Sequence, residues 1–121
     1  MKRNGFTFIE LLVVITIIAV IFAAGVVSYT TISKNSRNAR RSADMEAIRQ
    51  ALEMCRSIDG EYPAAVYPSV TCPLTTTIVT LKTTPTDPKC ATTNYTYTPS
   101  GGGYTLTASC YEGGAKSLTN P

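Results

Sequence analysis

Hydrophobic and polar positions divide the chain into stretches of distinct pattern. From Phe6 to Val27 the side chains are apolar except at Thr7, Glu10, Thr16 and Gly25. As a helix this run spans about 33 Å, enough to cross a bilayer core of about 30 Å. A polar, basic segment from Ser33 to Asp44 follows. Apolar residues then return at three- and four-residue steps: Met45, Ile48, Ala51, Leu52, Cys55 and Ile58. That spacing predicts a helix with one stripe to bury. No proline occurs before Pro63, so the pattern predicts a single helix from about Phe6 to Ile58, roughly 80 Å long. Asp59-Gly60 ends it, with glycine free to take a left-handed cap and Pro63 just beyond.

Residues 64–93 read as a proline- and threonine-rich surface connection carrying Pro68, Pro73, Pro85 and Pro88. Only Thr77–Lys82 reads there as a short strand. Its threonines are read as solvated loop positions rather than acceptors for O-linked sugar. A hairpin follows, with strands Asn94–Thr98 and Tyr104–Tyr111 alternating at period two and Pro99–Gly103 as the turn. Tyr104, Leu106, Ala108 and Cys110 share one face, expected to cover the helix at Ile48 and Leu52, while threonine and serine face water. Tyr95 and Tyr97 are read as packing residues, and Glu112–Lys116 as a loop. The expected fold is α+β: a long N-terminal helix whose second half packs on a small antiparallel sheet.

Charge and chemistry narrow the function. The chain has 121 residues, 11 of them basic and 8 acidic; without Lys2 and Arg3 the balance is 9 against 8. Bulk charge therefore gives no reason to expect nucleic acid as a partner. Lys34, Arg37, Arg40 and Arg41 fall where the helix leaves the membrane and are read as a solvated face touching lipid headgroups. Histidine is absent, which removes the commonest metal ligand and acid–base catalyst. The glycines at 101–103 precede a strand rather than a helix, so they form no phosphate cradle. Asp59 and Glu61 lie in a helix-ending turn, where solvation explains them. No catalytic residues, cofactor or metal are expected.

The four cysteines, Cys55, Cys72, Cys90 and Cys110, all follow the apolar run. An even count without Cys-x-x-Cys spacing or histidine reads as two disulfides rather than a zinc site. Three pairings are open; Cys55–Cys72 with Cys90–Cys110 is favoured because each bridge closes a local loop.

Glu10 is the informative residue of the apolar run. A carboxylate in a membrane helix is costly without a partner, and its plain explanation is a side chain lifted to the interface near the helix end. Lys2 and Arg3 form a short basic head, but the apolar run exceeds the 7–15 residues of an ordinary secretory signal. Gly5-Phe6-Thr7-Phe8-Ile9-Glu10-Leu11-Leu12-Val13-Val14 resembles the processing site of type IV prepilins and the related pseudopilins. The resemblance implies cleavage between Gly5 and Phe6 by a prepilin peptidase, N-methylation of Phe6, and an assembly role for Glu10 against the new amine of an adjacent subunit. It divides the chain into a leader (1–5), a transmembrane and polymerisation helix (6–30), and the rest of the helix with a small β domain (31–121).

The function so implied is that of a structural subunit of a type IV pilus-like filament, a helical homo-oligomer. Its partners would be the peptidase, a membrane assembly platform with its ATPase, and membrane lipid before assembly. The precursor would cross the cytoplasmic membrane once, with its basic N-terminus inside, and then enter an extracellular or periplasmic filament. Gly25 is read as a place to bend or as a close-packing position. Asp44-Met45-Glu46-Ala47-Ile48-Arg49-Gln50-Ala51-Leu52, followed by Asp59-Gly60-Glu61-Tyr62-Pro63, is similar to the major pseudopilins of type II secretion systems. Those often hold calcium in a C-terminal loop; here Asp87 and Glu112 are the only nearby acids, too few for an oxygen-rich cage. The alternatives are a major pseudopilin and, from another class, a membrane-anchored extracellular binding domain.

Overall fold

The computed structural model describes residues 5–75, 78–90 and 94–120. Helix α1 runs from Phe8 to Asp59 without a break. Its start is fixed by Thr7, whose carbonyl accepts the first helical bond from Leu11 N at 3.3 Å. Its end is fixed by Gly60, which adopts φ +79° and donates to Arg56 O at 2.9 Å. A side chain at that φ would be strained, so glycine terminates the helix where the sequence places it.

The residues fall into two compact units, Met1–Lys34 and Asn35–Pro121. In the first, the helix is long and apolar enough to cross a membrane, and its large side chains from Phe6 to Val27 are exposed. The hydroxyls in this unit bond to the helix backbone: Thr16 Oγ1 donates to Val13 O, Ser28 Oγ to Ala24 O and Thr30 Oγ1 to Val27 O. None of these three depends on water to satisfy its donor, as a hydrocarbon environment requires.

In the second unit α1 buries Met45, Ile48, Ala51, Leu52 and Cys55. The buried stripe ends at Cys55, and Ile58, one turn on, stays 47 % exposed. Two antiparallel sheets complete the unit. The smaller pairs β1 (Val70–Thr71) with β2 (Val79–Leu81), matching Val70 with Leu81. The larger has the order β3-β4-β5, from β3 (Thr96–Ser100), β4 (Gly103–Ala108) and β5 (Lys116–Asn120). Tyr104, Leu106 and Ala108 of β4 alternate inward and join the helix stripe, Val66, Val70, Cys72 and Tyr95 in one core. Tyr62 packs edge-on against Tyr104 with ring centroids 4.9 Å apart.

The sheet differs from the sequence expectation in four ways. The strand expected over Tyr104–Tyr111 ends at Ala108, so Cys110 lies in the turn beyond it rather than on its buried face. The β3–β4 turn is two residues, not five: Gly101 and Gly102 have φ +49° and +99°, the signature of a type I′ hairpin turn, whose twist matches the strands. Pro99 therefore sits in β3, an edge strand that tolerates a missing N–H. The tail is not all loop, because Lys116 opens a third strand, with Leu106 opposite Leu118. The strand read over Thr77–Lys82 is realised at Val79–Leu81 with a partner, β1, that the sequence reading left in the connection; Thr77 lies outside the described residues.

Candidate functional site

At the head of α1, Thr7 and Glu10 form a reciprocal cap. Glu10 Oε2 accepts from Thr7 N at 2.8 Å and from Thr7 Oγ1 at 2.6 Å, while Glu10 N donates to Thr7 Oγ1 at 3.4 Å. This is a capping box: the first helical residue is Phe8, and the acid three residues after the N-cap threonine returns to its amide. Both contacts use Oε2, so Oε1 faces outward without a partner among the described residues. Phe6 is 82 % exposed directly before the cap, and Gly5 precedes it in open space. The bond between Gly5 and Phe6 thus lies outside the helix. Thr-x-x-Glu before an apolar run is the sequence signature of this cap.

A second constellation sits in the polar segment of α1, within the second unit. Arg41 is fully buried, which corrects the reading of Arg37 and Arg41 as a solvated, headgroup-facing surface. Arg41 Nε donates to Asp87 Oδ2 at 2.7 Å, Nη2 to Asp87 Oδ1 at 3.1 Å, and Nη1 to Asn38 Oδ1 at 2.9 Å. The two-point match of guanidinium and carboxylate is the strongest form of this pairing. Arg37 Nε donates to Glu112 Oε1 at 2.5 Å, and Asn38 brackets the Glu112 backbone, accepting from its N–H and donating to its carbonyl. Of the four basic residues, Lys34 and Arg40 keep the exposure expected of them.

The charges in this cluster are mutually satisfied. The Arg41 guanidinium, with backbone donors Cys90 N and Lys89 N, holds the Asp87 carboxyl well below the usual carboxylate range against the opposing effect of burial. The Arg37 hydrogen bond likewise lowers Glu112. The only two acids considered for calcium are thereby committed to arginines. Among the described residues no three of the cysteine and acidic side chains gather as a metal site.

The cysteines occur as two bridges, Cys55–Cys72 with Cα atoms 5.0 Å apart and Cys90–Cys110 at 6.5 Å. The first ties α1 to the end of β1, and the second joins the loops that carry Asp87 and Glu112. Tyr95 lies in the core, and the half-buried Tyr97 packs against it. The Tyr95 hydroxyl donates to Asp44 Oδ2 at 2.8 Å and that of Tyr97 to Pro63 O at 2.7 Å.

Residues 1–26 match the family model of the prokaryotic N-terminal methylation motif, which supports the type IV pilin and pseudopilin family. No curated protein and no solved structure matches the chain. The motif and the apolar helix behind it fit a membrane-anchored precursor of a structural protein.

Proposed function

We propose that the chain is a structural subunit of a type IV pilus-like filament, made as a single-pass prepilin. The observation that carries this is the methylation motif set at the mouth of an exposed apolar helix, with the Gly5–Phe6 bond outside the helical cap. In this reading a prepilin peptidase cuts after Gly5 and methylates Phe6, removing leader 1–5. Residues 6–30 then serve as the membrane and polymerisation helix, and 31–121 form the surface unit. Glu10 Oε1 receives the Phe6 ammonium of a neighbouring subunit while Oε2 keeps Thr7. Pairing the two charges avoids leaving either alone among apolar helices, which sets the stagger between subunits. An assembly platform with its ATPase draws the subunit from the lipid, and burial among neighbouring helices replaces burial in the bilayer.

The helix-ending sequence Asp59–Pro63 favours a second reading, a major pseudopilin of type II secretion. The commitment of Asp87 and Glu112 to Arg41 and Arg37 favours the pilus, since it leaves no carboxylate pair for calcium. Calcium titration by calorimetry separates them, micromolar binding counting for the pseudopilin. A membrane-anchored binding domain would leave the chain uncut.

The deciding experiment shears cells that express the matching peptidase with wild type or Glu10→Ala, images fibres and weighs the N-terminal peptide. Methylated Phe6 in fibres from wild type but not from Glu10→Ala is expected. Processed protein without fibres points to a periplasmic pseudopilus or minor subunit. An intact Gly5–Phe6 bond overturns the reading.

A further inference from the structure

The two carboxylates that seat Arg41 and Arg37 come from distant parts of the chain, and one covalent bond joins them. Asp87 lies three residues before Cys90, and its Oδ1 accepts from Cys90 N and Lys89 N, both at 2.9 Å. Glu112 lies two residues after Cys110. Its Oε1 takes Arg37 at 2.5 Å and stands 4.0 Å from Arg41 Nη1 and 3.9 Å from Lys89 Nζ. Neither loop belongs to a strand. We propose that the Cys90–Cys110 bridge and the two arginines form one conditional latch: the closed bridge brings Asp87 and Glu112 onto α1, and opening it releases Arg37 and Arg41 as free cations on the helix. The inference does not rest on the filament reading.

A buried guanidinium is tolerated only while its carboxylate is held in place. If Asp87 drifts, Arg41 gains more by leaving for water than by staying, and the helix segment from Arg37 to Arg41 becomes a run of cations. Opening is a thiol–disulfide exchange with a dithiol. The dithiol supplies two electrons and two protons, the Cys90–Cys110 bond becomes two thiols, and the dithiol leaves as its own disulfide. The Cys55–Cys72 bridge has no such effect, because it ties α1 to β1 beside Thr80 and touches neither carboxylate. One set of contacts works against the latch. Thr84 N donates to Pro68 O at 3.0 Å and Tyr67 Oη to Pro85 O at 2.8 Å, pinning the Asp87 loop from its other side.

The test uses the full chain in detergent micelles and an arginine-directed dicarbonyl reagent, with labelling read at each site by mass spectrometry. Arg40, exposed, is the internal standard. In the oxidised chain Arg41 is expected to react roughly tenfold or more slowly than Arg40, the ratio set by a local opening free energy of about 1.4 kcal/mol. In Cys90→Ser/Cys110→Ser its rate rises towards that of Arg40, while in Cys55→Ser/Cys72→Ser it does not. Amide exchange in β4 is followed in parallel to detect global unfolding. Continued protection of Arg41 with Cys90–Cys110 open overturns the proposal in favour of the Thr84–Tyr67 anchor. An equal rise in both double variants, with loss of β4 protection, overturns it in favour of general stability.

Discussion

Replacing Asp87 by asparagine keeps the shape of the side chain and removes its charge. Arg41 is then left with no exposed surface, one neutral amide oxygen and one NH2 donor in place of the two carboxylate oxygens, and Glu112 only at 4.0 Å. Breaking a buried pair from one side costs about 3–5 kcal/mol, a large part of the roughly 5–15 kcal/mol that holds a small domain together. At about 4–8 °C per kcal/mol for a unit of this size, the melting midpoint should fall by at least roughly 12 °C. Tyrosine fluorescence in a thermal ramp is the assay, since the chain has seven tyrosines and no tryptophan. Arg41→Met/Asp87→Leu is the companion: replacing both charges with apolar groups is often neutral or stabilising, so the double variant should be more stable than Asp87→Asn. Glu46→Gln, which breaks the exposed pair with Arg49, should change little. If Asp87→Asn behaves like Glu46→Gln, Arg41 is solvated and the reasoning fails.

The same pair sets acid stability. The depressed Asp87 pKa means that its contribution is complete above the unfolded carboxylate range near 4 and is lost progressively as pH falls from there through the lower folded value. Asp87→Asn should therefore flatten the acid limb of a pH–stability curve. At the alkaline end burial pushes Tyr97 up to about 12, so its contribution is complete below about 10 and is lost as pH rises towards 12; absorbance titration of Tyr97→Phe should lack one late-ionising phenol. Removing the Thr7 hydroxyl and its cap as Thr7→Val should cost about 1 kcal/mol of helix stability, seen as faster amide exchange from Ile9 to Leu11 in micelles with the second unit unchanged. Leu52→Ala, at a fully buried core position, should cost about 2–5 kcal/mol by denaturant midpoint.

The parts of the fold legible in the sequence were those whose cause is local. The apolar run, the Met45–Cys55 stripe and the glycine stop at position 60 follow from spacing and backbone preference within a few residues. The hairpin was found but its turn was drawn too long, because three successive glycines do not show which two must take positive φ. β5 escaped because Lys116-Ser117-Leu118-Thr119-Asn120 has one apolar residue; its place is set by backbone pairing with β4 and by Leu118 meeting Leu106. At the candidate site, the Gly5-to-Glu10 motif was legible because its chemistry is contiguous. Arg41 was not: it extends the Met45–Cys55 stripe by one turn, but a charged side chain there reads as solvated, and the partner that allows its burial lies 46 residues away. Asp87 and Glu112 were noticed as acids and weighed against a metal, when the counter-charge was a guanidinium already in the chain.

The two bridges also govern how the second unit yields to a pull. They enclose separate segments, 55–72 and 90–110, so they shorten the extensible chain without interlocking. At about 3.5 Å per extended residue they withhold roughly 120 Å of contour from an unfolded oxidised unit. Tension carried along α1 from its N-terminal half reaches Arg37 and Arg41 before any apolar contact of the stripe. The first resistance to that load is therefore ionic and able to re-form, and the last is covalent. While both bridges stay closed, such a unit stops short of full extension even after its ion pairs have parted.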